Sequence, residues 1–432
     1  MPMPDPTGPL NGIRVLEFSQ IVAAPVCGIN LSDLGADVIK IEPPGGEQTR
    51  RSGSVVPGES KGFQALNRGK RSLVVDLHDP RGRAVIHRLT PDIDVVAINY
   101  RLGVAERVGI DYGTLSSIRN DLIYWQNTGF GESGPDAERA GSDIIAQAYS
   151  GLMVTDAKLN EDGAPELINI PIADIVSGFA SAMAICAALY HRVLTGEGQR
   201  IDTSLLRTAL FLQSAVVMRE PITDAIIRDP LVAEINEIRT RTGSYQDILE
   251  AKKRRAALRT AFRLYYGTYA ARDGAVVLGA LTRANRDRMR AILGGEREPS
   301  DDPGYNALDP ADQAVAEEWK QKYRVLFRSR TVADWVAAFD QAGVPVAAVN
   351  IPEEMADDPQ VAADGIMCDL DHAVTGPQRV VGPAAKMSLT PTVASRPSPA
   401  LGQHTREILA EAGFDNEEVQ HLIASGVVVE HQ

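Results

Sequence analysis

An α/β fold is predicted, with an open, mainly parallel Rossmann-like sheet in a large domain and a smaller α+β domain set into the chain. Three observations predict it. Over the first 130 residues short aliphatic runs alternate with helical stretches, the arrangement of βαβ units. The chain has 432 residues, enough for two cores. Apolar residues make up 44% but aromatic ones only 5%, so the core is aliphatic and alanine-rich, as suits helices packed closely on a sheet.

Taken in order, residues 13–19 (IRVLEFS) read as a buried strand, followed by a helix over about 24–34 that stops at Gly35. Residues 37–42 (DVIKIE) and 72–77 (SLVVDL) give a second and third strand. Pro80 opens a helix to about Leu89, since proline is well placed at a first helical position. Residues 94–100 and 122–128 are the fourth and fifth strands, and residues 171–195 form one long helix with Gly196 near its end. A further strand follows at 200–205. Beyond about residue 215 the character changes. Residues 219–262 read as helical and connecting, and 266–280 as a hairpin with Asp273-Gly274 as the turn. Residues 294–312 are a polar loop, 331–350 a helix then a strand, and 401–428 two short helices. The predicted division is a large domain at 1–220, a small domain at 221–325, and a return to the large domain at 326–432.

The net charge of −13 argues against a nucleic-acid partner, which needs a basic face. Cys27, Cys186 and Cys368 are widely spaced, and no Cys/His cluster suggests a metal, so none is expected. The N-terminus lacks the apolar core of a signal peptide, and the longest apolar run, 179–189, is short for a bilayer. A cytoplasmic protein without a membrane partner is the expectation.

Few motifs carry chemistry. Gly129-Phe130-Gly131-Glu132-Ser133-Gly134 matches a dinucleotide loop, but Pro135 and a polar segment follow and no ribose-binding acid stands at the expected offset, so it reads as a turn. No G-x-S-x-G elbow and no Walker A sequence occur, and the seven histidines are scattered. Asp174 stands apart as the only charged residue between Glu166 and His191, where the long helix begins after Pro171. One reading is a helix cap. The other is a reacting carboxylate that the helix dipole keeps ionised and nucleophilic. Asn99, Tyr100, Arg101 and Arg107 follow the fourth strand, on the side where open α/β sheets bind ligands, and Arg suits phosphates.

Several segments in order resemble the family III CoA-transferases, the group that includes formyl-CoA:oxalate and carnitine CoA-transferases. They are residues 10–18 (LNGIRVLEF), 34–43 (LGADVIKIEP), 67–72 (NRGKRS), 129–131 (GFG), 195–199 (TGEGQ) and 401–405 (LGQHT). The resemblance covers about 1–215 and 325–430. It implies Asp174 as nucleophile, and coenzyme A held by Val22 and Ala23, by Val75, Asp76, Leu77 and His78, by Asn99, Tyr100, Arg101 and Arg107, and by a segment near Arg139. It implies an acyl-CoA donor, a carboxylic acid acceptor, an aspartyl intermediate and an interlocked homodimer. Two departures stand out. Val22 occupies the place near which some members carry a helper glutamine, and no glycine-rich run appears in 219–270, which disfavours oxalate and formate. The related α-methylacyl-CoA racemases use a Gly-His-Asp sequence; here it is Gly141-Ser142-Asp143, and serine is no base at neutral pH. An intramolecular CoA shift through the same aspartate stays open, as does a catalytically silent CoA-binding protein, against which an intact Asp174 argues.

Overall fold

A computed structural model describes residues 8–260, 264–295, 299–305 and 309–431, of which 255–260 and 299 by backbone alone. The chain divides into two compact units. The first comprises the chain up to Lys158, Glu166–Met218 and Pro359 onwards; the second comprises Leu159–Pro165 and Arg219–Asp358.

The first unit holds β1 (Arg14–Phe18), α1 (Ala23–Asp33), β2 (Asp37–Glu42), α2 (Lys61–Asn67), β3 (Arg71–Val75), α3 (Pro80–Leu89), β4 (Val95–Ile98), α4 (Val104–Arg107), α5 (Tyr112–Ile118), β5 (Ile123–Thr128), α6 (Asp143–Ser150), α7 (Ile172–Thr195), β6 (Gln199–Ser204), α8 (Leu205–Phe211) and α9 (Ser214–Val217). The second unit supplies α10 (Pro221–Ile226), α11 (Arg228–Thr240), α12 (Tyr245–Thr260), β7 (Tyr266–Ala270), β8 (Ala275–Gly279), α13 (Arg283–Leu293), α14 (Pro310–Phe327), α15 (Val332–Gln341) and β9 (Val346–Ala348). The chain then returns to the first unit with α16 (Pro359–Ala363), β10 (Met367–His372), β11 (Gly376–Val381), α17 (Thr405–Glu411), α18 (Asn416–Ala424) and β12 (Val428–Val429).

Seven strands form one sheet in the order β12-β3-β2-β1-β4-β5-β6, parallel except for β12, which pairs antiparallel with β3. Successive strand residues face opposite sides. Val15, Val38, Val95, Ala97 and Trp125 pack under α1 and α7. Leu16, Phe18, Ile39, Leu73, Val96 and Tyr124 pack on the other face with Val85, Ile86 and Ile408. Both faces are covered, which is why the strands read as continuous apolar runs. The strand order reverses between β1 and β4, the place where a doubly wound sheet leaves a crevice beyond its carboxyl ends.

The second unit has a three-stranded antiparallel sheet, β7-β8-β9, over an aromatic core of Tyr265, Tyr269, Tyr323, Phe327, Trp335 and Phe339. This corrects the predicted boundary at 326. The helix and strand at 331–350 belong here, because β9 pairs with β8 and the Trp335 indole donates to the Phe327 carbonyl at 2.8 Å. The polar stretch 294–312 is less of a loop than expected, since Asp309 caps α14 at Pro310. The hairpin β10–β11 in the first unit was not anticipated; its residues are alternately half-buried and exposed, and no long apolar run marks it.

α7 spans 24 residues and is long and apolar enough to cross a membrane, although its most apolar stretch is only 44% buried in this unit. One face packs on α1, and Gly178 makes that possible: a Cβ there would lie 2.6 Å from Val26 and 2.7 Å from the Ala23 carbonyl. Gly178→Ala would gain about 1 kcal/mol of helix propensity but force this contact apart, at a cost of about 1–3 kcal/mol. Calorimetry is expected to show a net fall in melting temperature.

Candidate active site

Two cavities open at the carboxyl ends of β1 and β4. One, of about 440 Å³, is lined by residues 20–22, 99–102, 127–129, 137 and 139–144 together with Pro171, Asp174 and Leu205. The other, of about 370 Å³, is lined by residues 41–43, 75–78, Val104 and Val108. They share Gln20, Asn99, Tyr100 and Arg101 and are therefore adjacent lobes of one crevice. The shared wall is rigid: the Gln20 N–H donates to Asn99 Oδ1 at 3.0 Å, and Asn99 Nδ2 donates back to the Gln20 carbonyl at 2.8 Å. Next to it Ile21 adopts φ +66°, a left-handed conformation that is costly for a β-branched residue.

The first lobe holds Asp174, 9% exposed. Asp174 is the third residue of α7 and not its cap, because Pro171 stands at the cap and offers no side-chain bond. The missing cap comes from α6. Asp143 Oδ1 accepts the Asp174 N–H at 3.0 Å, satisfying one of the donors that every helix start leaves free. Asp143 is itself held by the Gln147 amide, which also bonds both backbone groups of Ile168, at 2.9 and 3.1 Å. Below, Ser177 donates to Asn127 Oδ1 at 3.0 Å.

Burial works against the helix dipole, which was expected to help keep Asp174 ionised. Burial pushes its carboxyl up to about 7, the neighbouring Asp143 carboxylate pushes the same way, and only a hydrogen bond from the Ala23 backbone N–H opposes them. Asp174 thus titrates near neutrality and has no ion-pair partner among the described residues, the pattern of a group poised for chemistry.

The expected binding residues fall in different places. Val22 and Arg139 line the Asp174 lobe, Asn99, Tyr100 and Arg101 line both lobes, and Val75, Asp76, Leu77 and His78 line the second. Ala23 lines neither; it is fully buried and contributes its N–H. Arg107 also lines neither lobe, because it ends α4 on an exposed turn. Arg101 donates to the Glu138 carbonyl, and Arg139 pairs with Asp136 at 2.9 Å. The sequence reading missed Gln20, Asn127 and above all Asp143; the last had a signal, an Asp and a Gln four apart on one helix face. In the glycine-rich loop Gly131 and Gly134 take φ +97° and +100°, as a turn needs, whereas Gly129 allows a close approach to Gly141, whose Cα a Cβ would meet at 2.7 Å. Among the described residues no group of three or more His, Cys, Asp or Glu side chains is gathered as metal ligands would be.

A doubly wound sheet with a buried carboxylate in its switch-point crevice is the arrangement of an enzyme that acts on a small ligand bound beyond the strand ends. Residues 10–405 match the model of CoA-transferase family III. The chain is 35% identical over 417 residues to a succinate–glutarate CoA-transferase of Agrobacterium fabrum, covering 95% of this chain and 97% of the relative. It is 31% identical over 436 residues to the mouse succinyl-CoA:glutarate CoA-transferase, covering 99% and 92%. A crystal structure of a CAIB/BAIF family protein from Brucella suis superposes with a TM-score of 0.69 at 30% identity, covering 94% and 99%. The chain belongs to CoA-transferase family III and is a CoA-transferase.

Activity should require ionised Asp174, so kcat is expected to rise with pH through a midpoint near 7. Asp143→Asn removes the repelling charge, so this acid limb should move to lower pH in a pH–rate profile. Asp174→Asn should melt higher than wild type at pH 8, where the buried wild-type carboxylate is charged. A group whose folded pKa lies above its unfolded one loses stability as pH rises between the two. The difference should therefore shrink towards pH 5.

Proposed function

We propose that the protein moves CoA between short dicarboxylic acids through Asp174. The observation that carries the proposal is the Asp174 carboxylate, buried, without a cation, and exposed to ligand only through the crevice. The carboxylate attacks the thioester carbonyl of the donor, forming a mixed anhydride and releasing CoA thiolate. The thiolate attacks the aspartyl carbonyl, giving an aspartyl-CoA thioester and freeing the donor acid. The acceptor carboxylate attacks that thioester and expels the thiolate again, which takes the acyl group from the new anhydride and restores Asp174. A closed site protects both intermediates from water.

In this reading the second lobe, with Val75, Asp76, Leu77 and His78, takes the nucleotide end of CoA. Residues 99–101 guide the pantetheine arm towards Asp174. Arg139 at the rim is a cation suited to a distal carboxylate. Acids of four or five carbons are favoured by the likeness to the mouse succinyl-CoA:glutarate and the Agrobacterium succinate–glutarate CoA-transferases. A homodimer is also proposed. α7 exposes Phe179, Met183, Tyr190, Val193 and Leu194, and α8 and α9 add Phe211 and Val216, large apolar side chains of the kind that a second copy of the chain would cover.

The test is to incubate the protein with succinyl-CoA, trap with hydroxylamine or borohydride, and map the adduct by mass spectrometry. Modification at Asp174 is expected, and Asp174→Asn should lose it together with about three orders of magnitude or more in kcat. A wild type that forms no adduct but exchanges the α-proton of an acyl-CoA with solvent would favour a racemase. Light scattering after gel filtration should give twice the 46.5 kDa chain mass.

A further inference from the structure

The segments 10–18, 34–43 and 67–72 each place an ionisable residue, Glu17, Lys40 and Lys70, that lines neither lobe of the crevice. All three are 0% exposed. They form one cluster. Lys70 Nζ donates to Glu17 Oε1 at 2.9 Å, to Asn67 Oδ1 at 2.9 Å and to the Pro25 carbonyl at 3.0 Å. Lys40 Nζ lies 2.8 Å from Glu47 and donates to Ser19 Oγ at 2.7 Å, and the Ser19 hydroxyl donates on to Glu17. α1 sits directly on this cluster, since a Cβ on Gly28 would fall 1.7 Å from Glu17 Oε2.

Burying three charges costs more than packing apolar side chains of the same volume would. What the cluster achieves is a position. It grips the connection from β1 to α1 at both ends, Ser19 through Lys40 and Pro25 through Lys70. Between these points lie Gln20, Ile21 and Val22, which line the Asp174 lobe with Ile21 held at φ +66°, and Ala23, whose carbonyl packs against α7 at Gly178 and whose N–H lowers the Asp174 carboxyl. A strained residue persists only where its surroundings over-determine it. The Gln20–Asn99 pair holds the middle of the loop but leaves its register along α1 free.

We propose that Glu17, Lys40 and Lys70 are positioning residues that clamp residues 19–25 and so keep the Ala23 N–H on the reacting carboxylate of Asp174. The proposal rests on Asp174 being the nucleophile. The groups that act on Asp174 are Asp143 from α6 and the Ala23 N–H from α1. The elements packed against α7 otherwise present uncharged partners here: Thr208 of α8, which donates to the Ala173 carbonyl at 3.1 Å, Asn127 of β5 and Thr203 of β6. Cys27 of α1 is buried with its thiol pushed up, so it stays neutral.

Two variants test the clamp. Glu17→Gln/Lys70→Met removes a charge pair without stranding either partner, and Ser19→Ala removes one hydroxyl of the relay. The Asp174 carboxyl is followed by 13C NMR between pH 5 and 8, assigned as the resonance lost in Asp174→Asn, alongside kcat, KM and melting temperature. Loss of a donor to the charged form raises a carboxyl pKa. Both variants should therefore titrate at higher pH than wild type, and kcat at pH 6 should fall about fivefold or more while KM for the acyl-CoA stays within about twofold. Should the double variant not fold, Ser19→Ala decides alone. If Asp174→Asn is inactive but folded clamp variants titrate and turn over like wild type, the positioning role is overturned, whatever happens to melting temperature. If Asp174→Asn keeps full turnover, the nucleophile reading falls and takes the clamp's catalytic meaning with it.

Discussion

The contact of α1 with α7 governs this molecule. Gly178 lets the two helices meet with the Ala23 carbonyl against the α7 backbone, and both helices start at the same crevice. One start contributes a carboxylate, the other an amide donor, and a third helix, α6, supplies the carboxylate that caps α7. α1 and α7 are fixed to the sheet through one apolar layer, and α6 joins them through a second, small cluster of Ala23, Ala146 and Ala173, so Asp174 owes its place to packing and not to a mobile loop.

The charge balance around Asp174 is a compromise between two demands. A carboxylate stripped of water is more reactive towards an acyl carbon, yet stripping water also favours its protonated form. An ion pair would keep it charged and blunt it. The protein instead gives it one backbone donor and one like-charged neighbour, so that it hovers near half ionisation. Charges of both signs are placed out of reach beneath the loop, in the cluster of Glu17, Lys40 and Lys70. There burial would raise the Glu17 carboxyl, but Lys70, Lys40 and Ser19 together bring it below the usual range, and it stays ionised.

Much of the frame was legible from the sequence. β1 to β5 are buried on both faces, so each appears as a largely apolar run, and the ends of β1 to β6 differ from the reading by only one or two residues. Asp174 was visible because a lone charge in the apolar stretch between Glu166 and His191 is conspicuous. What pattern cannot carry is pairing between distant segments. The 31-residue separation of Asp143 from Asp174 hides their bond, and the strand at 346–348 looks like one more strand of the large sheet until its partner, β8, is seen. Arg107 misled for a related reason: nearness in sequence to Arg101 says nothing about which way a short helical turn aims it.

The last strand, β12, closes the sheet against β3. Val428 pairs with Val75, and on the way the Gly402 N–H donates to Ser72 Oγ at 3.0 Å while the Thr405 hydroxyl donates to the Val429 carbonyl at 2.7 Å. Partners some 350 residues apart in the chain must therefore find each other after the intervening unit has been made. On a ribosome the first six strands emerge with one edge bare, and an unpaired edge is a template for the wrong neighbour. Assembly of the large unit is a late event, and its slowest step is expected to be the arrival of this short terminal strand.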